Sequence, residues 1–275
     1  MKNLEKIFSQ LEEIRQSKNI TKTNFDWEDY EFGKSFFNTV VRDEEQTQLE
    51  TDFIIKRLNL KQGNKILDLG CGGGRNSFEL AKRGFEVIGI DLNKYAIEEA
   101  IKAQKENNLN AKFSVKNILD IDYTQEFDTV LLIFNHFSIF SKLEAKKILN
   151  KISKSLVSGG KLLIEIHSIN QGINLDAVQE WEIVDEWISG KFEQLVLIEN
   201  TFDENKNMHI RNDYCIRLSD GELFKFTQAS QLYSLEEIHS MFKQFQLQLI
   251  QSFGDWEGKI FEEDDNTLII VGQKD

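Results

Sequence analysis

The 275-residue sequence contains no proline. Proline presets φ and is a common turn residue, so the turns of this chain must fall to Gly, Asn and Asp. Cysteine is nearly as scarce. Cys71 and Cys215 are the only two, which excludes a disulfide framework and a cysteine-based metal knuckle and suits a reducing compartment. Long apolar runs are missing as well: stretches such as 130–134 are far below the ~20 residues needed to cross a bilayer. The segment 1–10 is charged and has no apolar run ending in small residues, so no secretory signal is expected. Basic residues are in deficit. The 33 Lys and Arg against 46 Asp and Glu leave a formal charge of −13. Phosphate contacts need a basic surface, so this balance argues against a nucleic-acid partner. The chain is expected to be cytoplasmic, with no membrane or nucleic-acid partner and no metal.

Hydrophobic residues make up 40% and charged residues 29%, enough for one large α/β domain with room for a small added lobe. Leu4, Ile7, Phe8, Leu11 and Ile14 have helical spacing. An aromatic stretch follows, with Phe25, Trp27, Tyr30, Phe32, Phe36 and Phe37, and then a second helix over 44–58. From Lys65 the pattern alternates between short apolar strands and amphipathic helices: strands over 65–69, 86–90, 112–115, 127–134 and 161–166, helices over 76–82, 93–106 and 143–156. Repeated β-α-β units imply a mostly parallel, Rossmann-like sheet with helices on both faces. Beyond it, 181–188, 192–201, 209–218 and 222–229 read as consecutive antiparallel strands, with Asp220-Gly221 as a hairpin turn. A helix over 234–245, capped by Ser234 with Glu237 three residues on, and strands over 247–253 and 267–272 close the chain. The expected divisions are an N-terminal lid over 1–45, a core over 46–168, an antiparallel insertion over 169–230 and a return to the core over 231–275.

The most informative segment is Ile66 to Asp91, ILDLGCGGGRNSFELAKRGFEVIGID. One strand ends at Asp68-Leu69. Gly70, Gly72 and Gly74 then allow a sharp turn and close approach of a ligand to backbone. A second strand ends at Asp91, where a carboxylate can accept hydrogen bonds from a ribose diol. In an open α/β sheet both acids face one crevice, outside the carboxyl ends of the strands. Nicotinamide enzymes use this place with G-x-G-x-x-G. Here Arg75 stands where the third glycine belongs, and Asp68 would receive a pyrophosphate poorly. An acid before the glycines suits a ligand that carries an ammonium group.

Ile66-Leu67-Asp68-Leu69-Gly70-Cys71-Gly72-Gly73-Gly74 resembles the first motif of the class I S-adenosylmethionine-dependent methyltransferases, and Val87-Ile88-Gly89-Ile90-Asp91 resembles the second. Val115-Lys116-Asn117-Ile118 is similar to the segment near the adenine ring, with Asn117 where the family usually has Asp. The segments 127–132 and 156–162 resemble the fourth-strand motif and the turn before strand five, the latter without its usual proline. Together these cover about half the chain in the right order. The resemblance implies a seven-stranded sheet and S-adenosylmethionine as cofactor. It also implies a cofactor site built from Asp68, Gly70, Cys71, Gly72, Asp91, Leu92, Asn117, Ile118 and Phe134.

Methyl transfer from a sulfonium needs placement of a nucleophile behind the methyl group more than a fixed catalytic constellation. His136, just past the fourth strand, is a candidate base or orienting donor, or else a residue shaping the cofactor wall. His167, at the end of strand five, reaches the pocket or is a surface histidine. Tyr30 closes the site, by resemblance to small-molecule methyltransferases with such a lid, or simply packs. The expected substrate is a small-molecule acceptor methylated on O, N or C, and the insertion is the candidate surface for a homodimer. The rival readings are an enzyme acting on tRNA or protein, a non-catalytic binding module, and a nicotinamide enzyme.

Overall fold

A computed structural model describes Ser9 and residues 25–39, 43–175 and 179–275. The helix expected over 4–15 lies outside the described residues. The core opens with α1 (Tyr30–Thr39), α2 (Glu44–Leu58), β1 (Lys65–Leu69), α3 (Arg75–Lys82), β2 (Glu86–Asp91), α4 (Lys94–Asn107) and β3 (Ala111–Val115). It continues with β4 (Phe127–Leu132), α5 (Lys142–Ser155), β5 (Leu156–His167) and α6 (Ile169–Leu175). Four strands follow: β6 (Gln179–Trp187), β7 (Gly190–Asp203), β8 (Met208–Arg217) and β9 (Leu223–Gln231). The chain closes with α7 (Leu235–Lys243), β10 (Leu247–Phe253) and β11 (Thr267–Lys274).

Seven strands form one sheet in the order β10-β11-β5-β4-β1-β2-β3. The pairs among β1 to β5 are parallel, and β11 runs antiparallel to both β5 and β10. Successive strand residues point to opposite faces, which divides the core in two. Leu67, Leu69, Val130, Leu132, Ile164 and Ile270 pack with α5 and α7, whereas Ile66, Leu131, Leu163, Ile269 and Val271 pack with α2 and α3. The helices start where short polar side chains hold otherwise orphaned N–H groups: Asp43 for α2, Asn93 for α4, and Ser141 and Ser234 in capping boxes with Glu144 and Glu237. With no proline available, Asn59 and Asn108 end α2 and α4 in the left-handed conformation, which asparagine tolerates better than most residues.

Most element ends fall within one or two residues of the sequence reading, and two of the differences bear on the site. β5 begins at Leu156 rather than Lys161, because Leu156 is already extended and the Gly159-Gly160 pair is absorbed in an irregularity of the β4–β5 register. β4 stops at Leu132, two residues early, because Phe134 and Asn135 both take positive φ (62° and 58°) and turn the chain out of the sheet.

β6 to β9 form a separate antiparallel sheet in that order, inserted between β5 and α7. The N-terminal aromatic stretch bridges this lobe to the core. Phe25 and Phe32 pack on Phe226 of β9, and Ser35 donates to the Trp187 carbonyl at 3.0 Å. On the other side Asn93, the cap of α4, donates to the Gly33 carbonyl at 2.9 Å. No helix among the described residues is long and apolar enough to cross a membrane.

Candidate active site

A cavity of about 900 Å³ opens at the carboxyl ends of β1, β2, β4 and β5, beneath the aromatic segment and the inserted lobe. Its core wall includes Asp68, Gly70, Cys71, Gly72, Asp91, Leu92, Asn117, Ile118, Phe134, His136 and His167. Every residue expected at the cofactor site therefore meets in one place. Phe25, Trp27, Phe36, Phe37 and Gln228 line the other side.

Tyr30 is not among the wall residues. Its ring lies outside, 5.6 Å from Tyr95, and its hydroxyl donates to Glu98 at 3.0 Å. The expectation that it closes the site is corrected here. Tyr30 shares a helical face with Phe37, but seven residues at ~1.5 Å each put it about two turns away. That distance brings it onto α4 instead of the glycine turn. Phe37 is the residue that covers the turn: a Cβ added at Gly73 would lie 2.5 Å from its ring.

The turn between β1 and α3 is pinned from below. The N–H groups of Gly70 and Cys71 both donate to the Ile90 carbonyl, at 2.8 and 3.0 Å, and Gly74 donates to the Cys71 carbonyl at 2.9 Å. Gly72 donates to Asp91 Oδ2 at 2.8 Å, while Asn93 donates to Oδ1 at 2.8 Å. A pyrophosphate cradle depends on free N–H groups at this turn. Here four of them already have protein acceptors, which disfavours a dinucleotide. Asp91 itself keeps capacity, since an ionised carboxylate has about four lone-pair sites and two are in use.

Asp68 lies at the bottom, 2% exposed, accepting from Ser77 Oγ at 2.6 Å. Burial raises its pKa to about 6, against the lowering effects of the Ser77 hydrogen bond and the nearby Arg75 guanidinium; Asp91 raises it further. A buried carboxyl so disposed is suited to an ammonium ligand, which would restore its charged form. Two opposite pH dependences follow. Folding favours the protonated form, so this group's contribution to the stability of the free chain is full below about pH 4 and is lost as pH rises through about 6. Ammonium binding needs the ionised form, so S-adenosylhomocysteine affinity is expected to fall about tenfold between pH 7.5 and 5. Calorimetry across that range checks it, and Asp68→Asn should flatten the profile.

The remaining walls are shaped by strain and packing. The imidazole of His136 lies over the bare Cα of Gly70, where an added Cβ would come within 2.9 Å of Nδ1. Asn135 Oδ1 is buried in the wall without a partner among the described residues, an acceptor awaiting a donor. A bulky residue at positive φ, as at Phe134, stores about 1–3 kcal/mol of strain. Asn117 caps a 3₁₀ turn over Ile118–Asp120 by accepting from the Leu119 N–H at 2.9 Å. His167 is driven to a pKa of about 4, chiefly by burial and secondly by the neighbouring His209. A hydrogen bond to Gln171 opposes this only in part, so His167 is neutral at physiological pH, with Nδ1 buried and no partner of good geometry among the described residues. Burial also pushes the Cys71 thiol far up, so it is a wall residue and no nucleophile.

Sequence reasoning did not find Gln228, Ile139 or Phe140 in the wall. Gln228 carried no signal, because only the tertiary fold of the lobe decides which strand face looks at the core. The role of Asp91 in gripping the glycine turn could have been read from its spacing to Gly72.

These residues fit adenosine joined to an aminoacyl tail: an acid for the ribose, a bare turn, and a buried acid for the ammonium. The match to a methyltransferase domain family spans residues 60–248. A putative methyltransferase of Geobacillus sp. (strain WCH70) is 30% identical over 120 residues, 42% of this chain and 49% of that protein. The tRNA (uracil(54)-C(5))-methyltransferase of Pyrococcus horikoshii is 35% identical over 99 residues, 34% of this chain and 24% of that protein. The chain thus matches half or less of the length of these relatives. Among solved structures, an S-adenosylmethionine-dependent methyltransferase from Clostridium acetobutylicum superposes with a TM-score of 0.69 at 20% identity, covering 82% of this chain and 91% of that one; this shows the shared fold. By its matched domain, its seven-stranded sheet and its glycine turn with two acids, the chain belongs to the class I S-adenosylmethionine-dependent methyltransferase family.

Proposed function

We propose that this chain methylates a small, largely uncharged acceptor on O, N or C. The observation that carries this reading is the shape of the cavity: from the glycine turn it continues under Phe25, Trp27 and Phe36 and against Gln228 of the lobe. Such a chamber is closed on several sides and mostly apolar, as small-molecule sites are. When bound, S-adenosylmethionine supplies a methyl group activated on a sulfonium. The chain's own residues do the rest. Asp91 holds the ribose, Asp68 the ammonium, and Asn117 with Ile118 the adenine edge. The aromatic segment excludes water, which strengthens every polar contact inside.

His136, against Gly70, takes or donates a proton at the acceptor. His167 stays neutral and orients the acceptor by hydrogen bonding, since a pKa of about 4 makes it a weak base at pH 7. His136→Ala is expected to lower turnover by about 10²-fold or more, within the usual range for a lost acid–base group, and cofactor affinity by less. Equal losses in both would reduce it to a wall residue.

The match to a tRNA methyltransferase covers only a quarter of that relative, and the net charge of −13 disfavours binding to a phosphate backbone. The direct test measures S-adenosylhomocysteine release with panels of phenols, amines and carbon acids, and with bulk tRNA. Turnover confined to the small molecules supports the proposal; turnover on tRNA alone overturns it.

A further inference from the structure

The loop after β4 carries Phe134 and His136 into the cavity wall, yet it leaves the sheet in a conformation that Phe134 does not favour. The Phe134 N–H lies past the last β4–β5 pairing, Leu132 with Ile164. It donates to the Glu165 carboxylate on β5. Trp256, 9% exposed beyond β10, donates its indole N–H to the other carboxylate oxygen at 3.1 Å. Glu165 pairs with Ile269 in the β5–β11 register, on the sheet face of Leu163. An acid on this apolar face adds nothing to the core that leucine would not supply better.

We propose that Glu165 is a positioning residue that holds the Phe134–Asn135 turn in its left-handed conformation and so sets the cofactor wall and the place of His136. The carboxylate is required because it meets two donors, one per oxygen, and a carboxamide has a single acceptor oxygen for both. Burial pushes the Glu165 carboxyl upward while the Phe134 and Trp256 N–H groups pull it down, consistent with an acid retained at some cost for the contacts it makes. The inference rests on the cofactor lying over the glycine turn, but part of its test does not.

In the free wild-type chain, the Phe134 amide should exchange with solvent as slowly as the amides inside β4; exchange as fast as an open loop amide overturns the proposal whatever the ligand. Glu165→Leu keeps an apolar side chain on that face and removes both acceptors. It is expected to bind S-adenosylhomocysteine about tenfold more weakly, the order of one hydrogen bond to a charged group. Trp256→Phe removes more core volume and should lower Tm further, yet keep affinity within about threefold because the Phe134 contact survives. Glu165→Gln made in the Trp256→Phe background frees the amide oxygen for Phe134 and should match Trp256→Phe alone. Wild-type affinity in Glu165→Leu, or an affinity in the double variant as low as that of Glu165→Leu, overturns the proposal. If Glu165→Leu does not fold, the wild-type amide exchange and the double variant decide. Loss of binding by all chains, wild type included, would instead refute the cofactor site.

Discussion

Asp91→Ala is expected to weaken S-adenosylhomocysteine binding by about a hundredfold, measured by titration calorimetry. The carboxylate does two jobs. Through Gly72 and Asn93 it ties the glycine turn to the start of α4, and its remaining lone pairs face the cavity. Two charge-assisted bonds to a ribose diol contribute roughly 1.5–3 kcal/mol each, and every 1.4 kcal/mol is about tenfold in affinity. The lower end of that range already gives about a hundredfold, before any loosening of the turn. Asp91→Asn keeps one acceptor oxygen and should fall between wild type and alanine. Unchanged affinity in Asp91→Ala removes this residue from the ribose role.

Gly70→Ala should have an effect at least as large while leaving the fold intact by circular dichroism. Two penalties coincide there. The backbone sits at φ +72°, and the new Cβ would press on the His136 ring, with three ring atoms at 2.9–3.1 Å. A left-handed alanine alone costs roughly 1–2 kcal/mol. The displaced imidazole then moves into the cavity wall, where the ligand must lie. Gly63→Ala is the matched control, at φ +85° with nothing within 4 Å of an added Cβ. It carries the backbone strain without the collision, so it should lower Tm and leave affinity unchanged. Equal losses of affinity in both variants would show that the His136–Gly70 contact is not what shapes the site.

Much of this was legible in the residues because it depends on local chemistry. Strand and helix periods, the caps at Asn93 and Ser234, and the bare turn are written within a few residues of one another. The two acids are as well, since a strand that ends at an acid delivers it to the crevice. The lid was harder. Aromatic content in 25–37 announced a cover, but Tyr30 and Phe37 share a helical face, and only the docking of α1 on α4 decides which of them reaches Gly73. Glu165 lies two residues before His167 on one strand; its task appeared only with Phe134 on one side and Trp256 on the other, 31 and 91 positions away in the chain.

By itself, then, the order of residues determined the sheet class, the cofactor family and the two carboxylates that meet at the glycine turn, since each follows from spacing within a single β-α-β unit. The chamber beyond the cofactor was decided in three dimensions. Phe37, Gln228, and the pair Glu165 and His167 come from three separate elements, and what each can do depends on burial, on which face of a strand is covered, and on partners that no short-range pattern records.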